Sequence, residues 1–240
     1  MKTKSDYVLA DRIEDSLWIE LRRTERCNAY TEEMLWAIEA LVSDANLDES
    51  IRTVVFVGAG GRAFCAGADL GEIAARSWKS VLSLTSARIF SLIQEARAVT
   101  IAALNGVAVG GGLELALACD IRLAASHASM WLPEPSIGLL PAAGALHRLP
   151  QLVGAGRAKE LIVGGAVWDA ATAQSAGLVA EVVPAPKLRA TVDGWTQRIG
   201  SRDAAATYLA KQTLNGRVGD GGHDLVAQSL LVQLRNPRRH

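Results

Sequence analysis

The chain has 240 residues, of which 50% are hydrophobic and 21% are charged, and its 25 basic and 25 acidic residues leave no formal net charge. These values are ordinary for a globular protein with one substantial core, and the balanced charge argues against a nucleic-acid-binding protein. Cys27, Cys65 and Cys119 match neither a disulfide framework nor a metal-ligand spacing, which favours a reducing, cytoplasmic environment without a bound metal.

We expect neither a secretory signal nor a membrane span. Residues 1–6 are polar and no apolar run follows them. The most hydrophobic stretch, 98–119, approaches membrane-spanning length, but it contains Asn105, Glu114 and four glycines. Polar and turn-forming residues inside such a stretch favour a buried turn of a water-soluble protein.

Strand and helix patterns alternate along the first half of the chain. Thr31 is the expected N-cap of the first helix, because a threonine followed by two glutamates suits a helix N-terminus. Continuous apolar, β-branched runs indicate buried strands. The predicted strands are 7–10, 17–21, 53–57, 100–104 and 121–124, with 126–132 also extended, and further helices are predicted over 81–96 and 113–118.

The last third of the chain is rich in alanine and helical in pattern. The predicted helices are 158–163, 170–176, 188–199 and 204–214. Strands joined by crossover helices, followed by a helical segment, predict an α/β fold. We divide this single continuous domain into a core over 1–184 and a helical C-terminal region over 185–240.

Two Gly-rich turns follow strand-like apolar runs. Residues 63–70 read AFCAGADL, and residues 105–114 read NGVAVGGGLE. Glycine lets a backbone approach a ligand closely, and the N–H groups that begin a helix have no partner inside it. The three glycines 110–112 fit an anion-binding turn, and they fit tight packing of a strand on a helix equally well.

Two carboxylates accompany the second turn. Glu114 lies in the first turn of a helix that is apolar all round, so we expect it to be buried with a raised pKa, as a general acid or base requires. Compensation of the helix dipole is the alternative for Glu114. Glu134 lies between Pro133 and Pro135, where a solvent-exposed turn is the alternative. Carried on separate elements, the two carboxylates are candidates to flank one substrate.

The run 58–63, GAGGRA, matches a loose dinucleotide-binding fingerprint. Its context does not fit, because the chain returns to a Gly-rich turn where a helix should begin, and no acidic residue is suitably placed further on. We therefore predict no nicotinamide cofactor.

Taken together, these motifs resemble the enoyl-CoA hydratase/isomerase (crotonase) family along most of the chain. The matching segments are 27–29, 64–70, 105–120, 133–141 and 176–179. The resemblance implies a spiral of ββα turns with a helical C-terminal trimerisation region, and a homotrimer or dimer of trimers. It also implies an acyl-CoA thioester as substrate, with CoA as part of that substrate and no separate cofactor.

The resemblance assigns roles to individual positions. The backbone N–H groups of Ala68 and Gly111 would form an oxyanion hole, and Glu114 and Glu134 would be the two catalytic carboxylates of a hydratase. Ala66, Asp69 and Leu70 would lie along the CoA end of the substrate. Retention of both carboxylates favours reversible hydration of a trans-2-enoyl-CoA to a 3-hydroxyacyl-CoA.

The chain departs from the family pattern beside Glu134. Trp131 and Ala142 stand where glycines are usual, and Ala145 occupies a nearby small position, so we expect added bulk in the acyl site with Trp131 among the substrate-binding residues. This bulk favours an alternative in which Glu134 acts alone, as in a double-bond isomerase or an acyl-CoA decarboxylase. A non-catalytic acyl-CoA-binding subunit is a third hypothesis, and the two carboxylates count against it.

Overall fold

The structure is a computed structural model that describes residues 5–75 and 85–216. Its strands are β1 Val8–Ile13, β2 Ser16–Leu21, β3 Thr53–Gly58, β4 Ala63–Cys65, β5 Val99–Leu104, β6 Val107–Val109, β7 Ile121–Ala125, β8 Ser129–Trp131, β9 Trp168–Asp169 and β10 Glu181–Val183. Its helices are α1 Glu32–Leu47, α2 Leu70–Ala75, α3 Thr85–Gln94, α4 Gly111–Ala118, α5 Ala145–Ile162, α6 Ala170–Ser175, α7 Ala185–Gly200 and α8 Ala204–Leu214. Short 3-10 turns cover Thr24–Arg26 and Glu134–Ile137.

A six-stranded sheet forms the larger layer, in the order β1-β2-β3-β5-β7-β10. Only the β1–β2 pair is antiparallel, and the remaining neighbours are parallel. Along β3, Val54 and Phe56 pack into the core on one face, while Val55 packs on the other. Burial of both faces explains why the central strands read as continuous apolar runs, and the predicted α/β class is confirmed.

A smaller sheet, β4-β6-β8-β9, supports the two Gly-rich turns. The sequence patterns predicted turns alone at β4 and β6, but these are two short parallel strands joined by the pairs Ala63–Val107 and Cys65–Ala108, with a shift of register between the pairs. These strands are too short for periodicity to reveal, because alternation needs at least four residues. The rejected dinucleotide fingerprint is indeed followed by β4 rather than by a helix.

Helix boundaries are set by local capping where the sequence carries caps. The Thr31 side chain accepts a hydrogen bond from the Met34 N–H at 3.3 Å, which confirms the predicted start of α1. The prediction over 158–163 captured only the end of α5, which begins at Ala145 and is kinked at Gly154 with φ of +80°. Pro150 and Gly154 interrupt the helical pattern of the sequence, yet the segments on either side of Gly154 are both helical. Residues 81–84 of the predicted helix 81–96 lie outside the described residues.

The C-terminal helices pack on the core of the same chain. Leu188, Val192 and Ile199 of α7 cover the sheet face that carries Val55. Helix α8 is attached through Lys211, whose ammonium lies 2.7 Å from Asp120 and donates to the Ala98 carbonyl at 2.8 Å. These contacts join the helices after residue 184 to the core before it. Residues 217–240 of the predicted C-terminal region lie outside the described chain, and oligomerisation stays a prediction.

Over the two described ranges, no helix is both long enough and apolar enough to cross a bilayer.

Candidate active site

The two Gly-rich turns and the two carboxylates line one cavity of about 220 Å³. Both predicted oxyanion positions, Ala68 and Gly111, lie on its wall together with Glu114 and Glu134. The remaining wall is largely apolar. It includes Ile73, Ile137, Leu139, Leu140 and Ala142. The structure thus brings the four predicted catalytic positions to one place.

The first turn is oriented by the backbone of Tyr30. The Tyr30 N–H donates to the Gly67 carbonyl at 2.8 Å, and the Asp69 N–H donates to the Tyr30 carbonyl at 2.9 Å. In this isolated parallel bridge, Ala68 lies between the two residues that bond to Tyr30. The N–H of Ala68 therefore points away from Tyr30, toward the other side of the turn.

Each glycine of the second turn is required by a different neighbour. Gly110 has φ of +53°, and a Cβ there would lie 2.7 Å from Glu134 Oε1. A Cβ on Gly111 would lie 2.2 Å from the Tyr30 hydroxyl, and one on Gly112 would lie 2.1 Å from the Cys65 carbonyl oxygen. The packing alternative applies to Gly112, whereas Gly110 and Gly111 leave room for groups that line the cavity. Anion binding at this turn stays a prediction.

The two turns lie directly against each other. A Cβ on Gly67 would be 3.2 Å from the Gly111 nitrogen. Gly111 is the first residue of α4, so its N–H has no acceptor within the helix, and the helix dipole adds partial positive charge there. Two backbone amides and a helix N-terminus at one cavity wall can stabilise negative charge on a single oxygen atom.

Glu114 is buried in the first turn of α4, with only 3% of its surface exposed. Its Oε1 accepts two backbone hydrogen bonds, from Ala143 at 2.8 Å and from Ala145 at 3.0 Å. Desolvation raises the pKa of Glu114 to about 7; the two amides oppose this shift and the charge of Glu134 adds to it. The expected burial and raised pKa are confirmed, and Oε2 is left as the oxygen that can bind a water molecule.

Glu134 begins the 3-10 turn Glu134–Ile137 after Pro133. Its Oε2 is buried, and no described residue forms a hydrogen bond with it. Burial raises the pKa of Glu134 as well. A buried carboxylic oxygen without a donor favours the protonated form, so the exposed-turn alternative does not hold for this side chain.

The carboxylates form an electrostatically coupled pair. Glu134 acts on Glu114 through its charge, and burial raises the pKa of each. The charge of Glu134 therefore favours the protonated form of Glu114. Paired base and acid catalysis requires one carboxylate to be ionised while the other is protonated.

The predicted substrate-binding residues divide into two groups. Ala66 and Leu70 line the cavity, as do Ala68 and Gly111. Asp69 does not: its carboxylate lies 2.6 Å from Arg23, which holds its pKa below the usual value, and it accepts from the Gly71 N–H at 2.8 Å. Asp69 therefore fixes the start of α2, whereas the resemblance had placed it along the substrate.

Trp131 lies away from the cavity, in contrast to its predicted place in the acyl site. Its side chain lines a separate space with Ser136 and Ile162, on the other side of Pro133. Alternation along β8 explains the difference, because Met130 points into the core and Trp131 points to the opposite face. Its backbone carbonyl still accepts from the Gly110 N–H at 3.0 Å. Of the bulky departures, Ala142 alone lines the cavity with Glu134.

Sequence reasoning overlooked three contributions to the site. Tyr30 positions the first turn, and its ring meets that of Phe90 edge-on with centroids 5.9 Å apart. The segment 143–145 supplies the amides that hold Glu114, and Arg148 donates to the Ala143 carbonyl at 2.9 Å. Amide donors leave no mark in a side-chain pattern. The signal that was available is the Gly144 position, where φ is +127°.

Backbone amides of two Gly-rich turns and two carboxylates lining one cavity of an α/β fold are typical of enzymes that act on acyl groups. Residues 14–230 match the family described as enoyl-CoA hydratase/isomerase. The chain therefore belongs to the enoyl-CoA hydratase/isomerase family, as the motifs indicated, and its structure has the crotonase fold.

Similar proteins carry names from this family. A putative enoyl-CoA hydratase/isomerase of Bacillus subtilis is 38% identical over 199 residues, covering 82% of this chain and 76% of the relative. A crotonyl-CoA hydratase of Syntrophomonas wolfei is 34% identical over 213 residues, covering 88% and 82%. The crystal structure of an enoyl-CoA hydratase from Bacillus anthracis superposes with a TM-score of 0.89 at 34% identity, covering 95% of this chain and 90% of the other.

Proposed function

We propose that this protein is an enoyl-CoA hydratase that adds water reversibly to a trans-2-enoyl-CoA to give a 3-hydroxyacyl-CoA. The observation that carries the proposal is the pair of carboxylates, the buried Glu114 and the half-buried Glu134, beside two backbone amides in one cavity. Similarity to relatives named as hydratases supports the same reaction.

The amides of Ala68 and Gly111 bind the thioester oxygen of the substrate. Their hydrogen bonds withdraw electron density from the conjugated double bond and stabilise the enolate-like transition state, and loss of one such donor costs about 3 kcal/mol. The partial positive charge at the N-terminus of α4 acts in the same direction.

The carboxylates divide the proton transfers. Glu114, held at Oε1 by two amides, binds water through Oε2 and removes its proton as the oxygen attacks the β-carbon. Glu134, in its protonated form, delivers its proton to the α-carbon, and its Oε2 has no hydrogen-bond partner among the described residues. Each step needs one ionised and one neutral carboxylate, so activity has a bell-shaped dependence on pH.

The test follows the absorbance of the conjugated enoyl thioester with short and medium trans-2-enoyl-CoAs. We expect Glu114→Gln and Glu134→Gln each to lower kcat by about 10²- to 10⁴-fold, because each removes a general acid–base group. Circular dichroism checks that the variants stay folded. Absence of turnover at every chain length, with acyl-CoA binding intact, would refute the proposal.

Double-bond isomerisation through Glu134 alone is the second candidate function. The added methyl of Ala142 on the cavity wall favours it, because extra bulk can displace the attacking water. Labelled water separates the two reactions: hydration incorporates its oxygen and isomerisation does not. In the isomerase case, Glu114→Gln keeps activity.

We also propose that the chain assembles as a homotrimer or a dimer of trimers, as its family resemblance implies. Sedimentation equilibrium measures this directly, and a monomer at micromolar concentration would contradict it.

A further inference from the structure

Arg148 is a buried cation at the start of α5, with 4% of its surface exposed, and it lines a second cavity rather than the one that holds the two carboxylates. It lies in the first turn of α5 and hydrogen-bonds in three directions. Nη1 donates to the Ala143 carbonyl at 2.9 Å, Nε donates to Gln94 Oε1 at 2.8 Å, and Nη2 donates to Ser91 Oγ at 3.3 Å. The guanidinium therefore ties the start of α5 to helix α3.

The same guanidinium lies over the segment that holds Glu114. A Cβ on Gly144 would be 1.7 Å from Arg148 Nη1, and Gly144 adopts φ of +127°. Ala143 and Ala145, on either side of Gly144, donate their N–H groups to Glu114 Oε1. Arg148 thus holds the backbone of 143–145 through the Ala143 carbonyl, while the N–H groups of the same segment hold Glu114.

Two charged groups act on Glu114, namely Glu134 from the 3-10 turn and Arg148 from α5. Glu134 favours protonation of Glu114, whereas Arg148 favours its ionised form. Arg148 itself faces Glu114, Cys119 and Glu95. The cation therefore opposes the effects of burial and of Glu134 on the carboxylate that must act as the base.

We propose that Arg148 is a positioning residue for hydration: by holding the 143–145 segment, it fixes the Glu114 carboxylate where that carboxylate can activate the attacking water. This inference rests on the proposed function. Arg148 contacts the backbone that holds the base, and it is assigned no contact with the substrate.

The test compares Arg148→Lys with Arg148→Met in the full-length protein. Lysine keeps the charge but cannot reproduce a three-way planar hydrogen-bond fork, so we expect kcat to fall about 10- to 100-fold with little change in KM. Methionine also removes the charge. In Arg148→Met we therefore expect, besides the loss of kcat, a shift of the acidic limb of the kcat/KM profile to higher pH, since Glu114 becomes easier to protonate.

A second readout does not depend on turnover. Carbon-13 NMR of glutamate carboxyl groups, with the Glu114 signal assigned from Glu114→Gln, should give a higher titration midpoint in Arg148→Met than in the wild type. Arg157→Met is the matched control, because Arg157 is an exposed residue of the same helix whose Nη1 donates to the Ser175 carbonyl. It should leave both readouts unchanged.

If Arg148→Met does not fold, Arg148→Lys and Gln94→Leu decide the matter, because Gln94→Leu removes one anchor of the guanidinium and should lower kcat in the same direction. The inference is overturned if Arg148→Lys stays within twofold of the wild type. It is also overturned if the Glu114 midpoint is unchanged in Arg148→Met or, where that variant is not folded, in Gln94→Leu. An inactive wild type would instead refute the proposed function, while the NMR titration still decides whether Arg148 acts on Glu114.

Discussion

Glu114 begins a buried helix and receives two amide hydrogen bonds from other residues, whereas Glu134 begins a 3-10 turn and has a buried Oε2 that no described residue hydrogen-bonds. Burial raises the pKa of both carboxyl groups. The amides of Ala143 and Ala145 and the charge of Arg148 oppose this rise at Glu114, whereas the backbone N–H of Glu134 itself opposes it at Glu134. The two carboxylates therefore differ in how firmly the fold orients them: Glu114, the proposed base, is fixed by two amides, and Glu134, the proposed acid, keeps Oε2 without a donor.

Among the glycine variants, the largest effect is expected from crowding Glu134 at Gly110, the residue before the proposed oxyanion amide of Gly111. Gly110→Ala places a methyl 2.7 Å from Glu134 Oε1 at a residue whose φ of +53° disfavours any side chain. We expect kcat to fall about 100-fold, because displacement of a catalytic group by an ångström has an effect of that size.

Gly194→Ala is the matched control for that variant. Gly194 lies in α7, where a Cβ would have nothing within 4 Å and φ is not positive. Its replacement should leave kcat unchanged and slightly stabilise the helix. Equal activities of the two variants would show that contact between Gly110 and Glu134 is unimportant.

An effect of intermediate size is expected on the pH dependence of the free energy of unfolding, through Glu114. The pKa of Glu114 rises from 4.5 to about 7 on folding, so its protonated form stabilises the fold at low pH, and that contribution is lost as pH rises from 4.5 through 7. Glu114→Gln cannot ionise. Its free energy of unfolding relative to the wild type should therefore increase by up to about 3 kcal/mol between pH 4.5 and pH 8.

Urea unfolding at the two pH values measures this difference. Glu134→Gln should change with the same sign, since burial raises the pKa of Glu134 too. If the stability difference between Glu114→Gln and the wild type did not depend on pH, folding would not raise the pKa of Glu114.

The smallest expected effect is at Trp131, three positions before Glu134. Because its side chain lines a different space, Trp131→Phe should change kcat/KM by less than about twofold. Ala142→Val, on the cavity wall, is the contrasting variant and should lower kcat/KM most for the longest acyl chains. A large loss of kcat/KM in Trp131→Phe would instead indicate that Trp131 contacts the acyl group.

Much of this arrangement could be predicted because it depends on local signals. The Thr31 cap, the buried runs of β3, β5 and β7, and the apolar helix around Glu114 each depend on neighbours within a few residues. The orientation of Trp131 was missed, although alternation along β8 was available as a signal. The short strands β4 and β6 were missed because their pairing partners lie far away in the chain.

The sequence by itself determined the α/β class, the family and the two Gly-rich turns with their carboxylates, since residue types and spacings carry that information. Only the tertiary structure decided which atoms meet. It placed the amides of 143–145 on Glu114 and left Glu134 Oε2 without a described donor. It also brought Arg148 to the Ala143 carbonyl and paired Asp69 with Arg23. Backbone donors and long-range contacts have no residue signature, so their effect on charge and pKa emerges only when distant segments pack together.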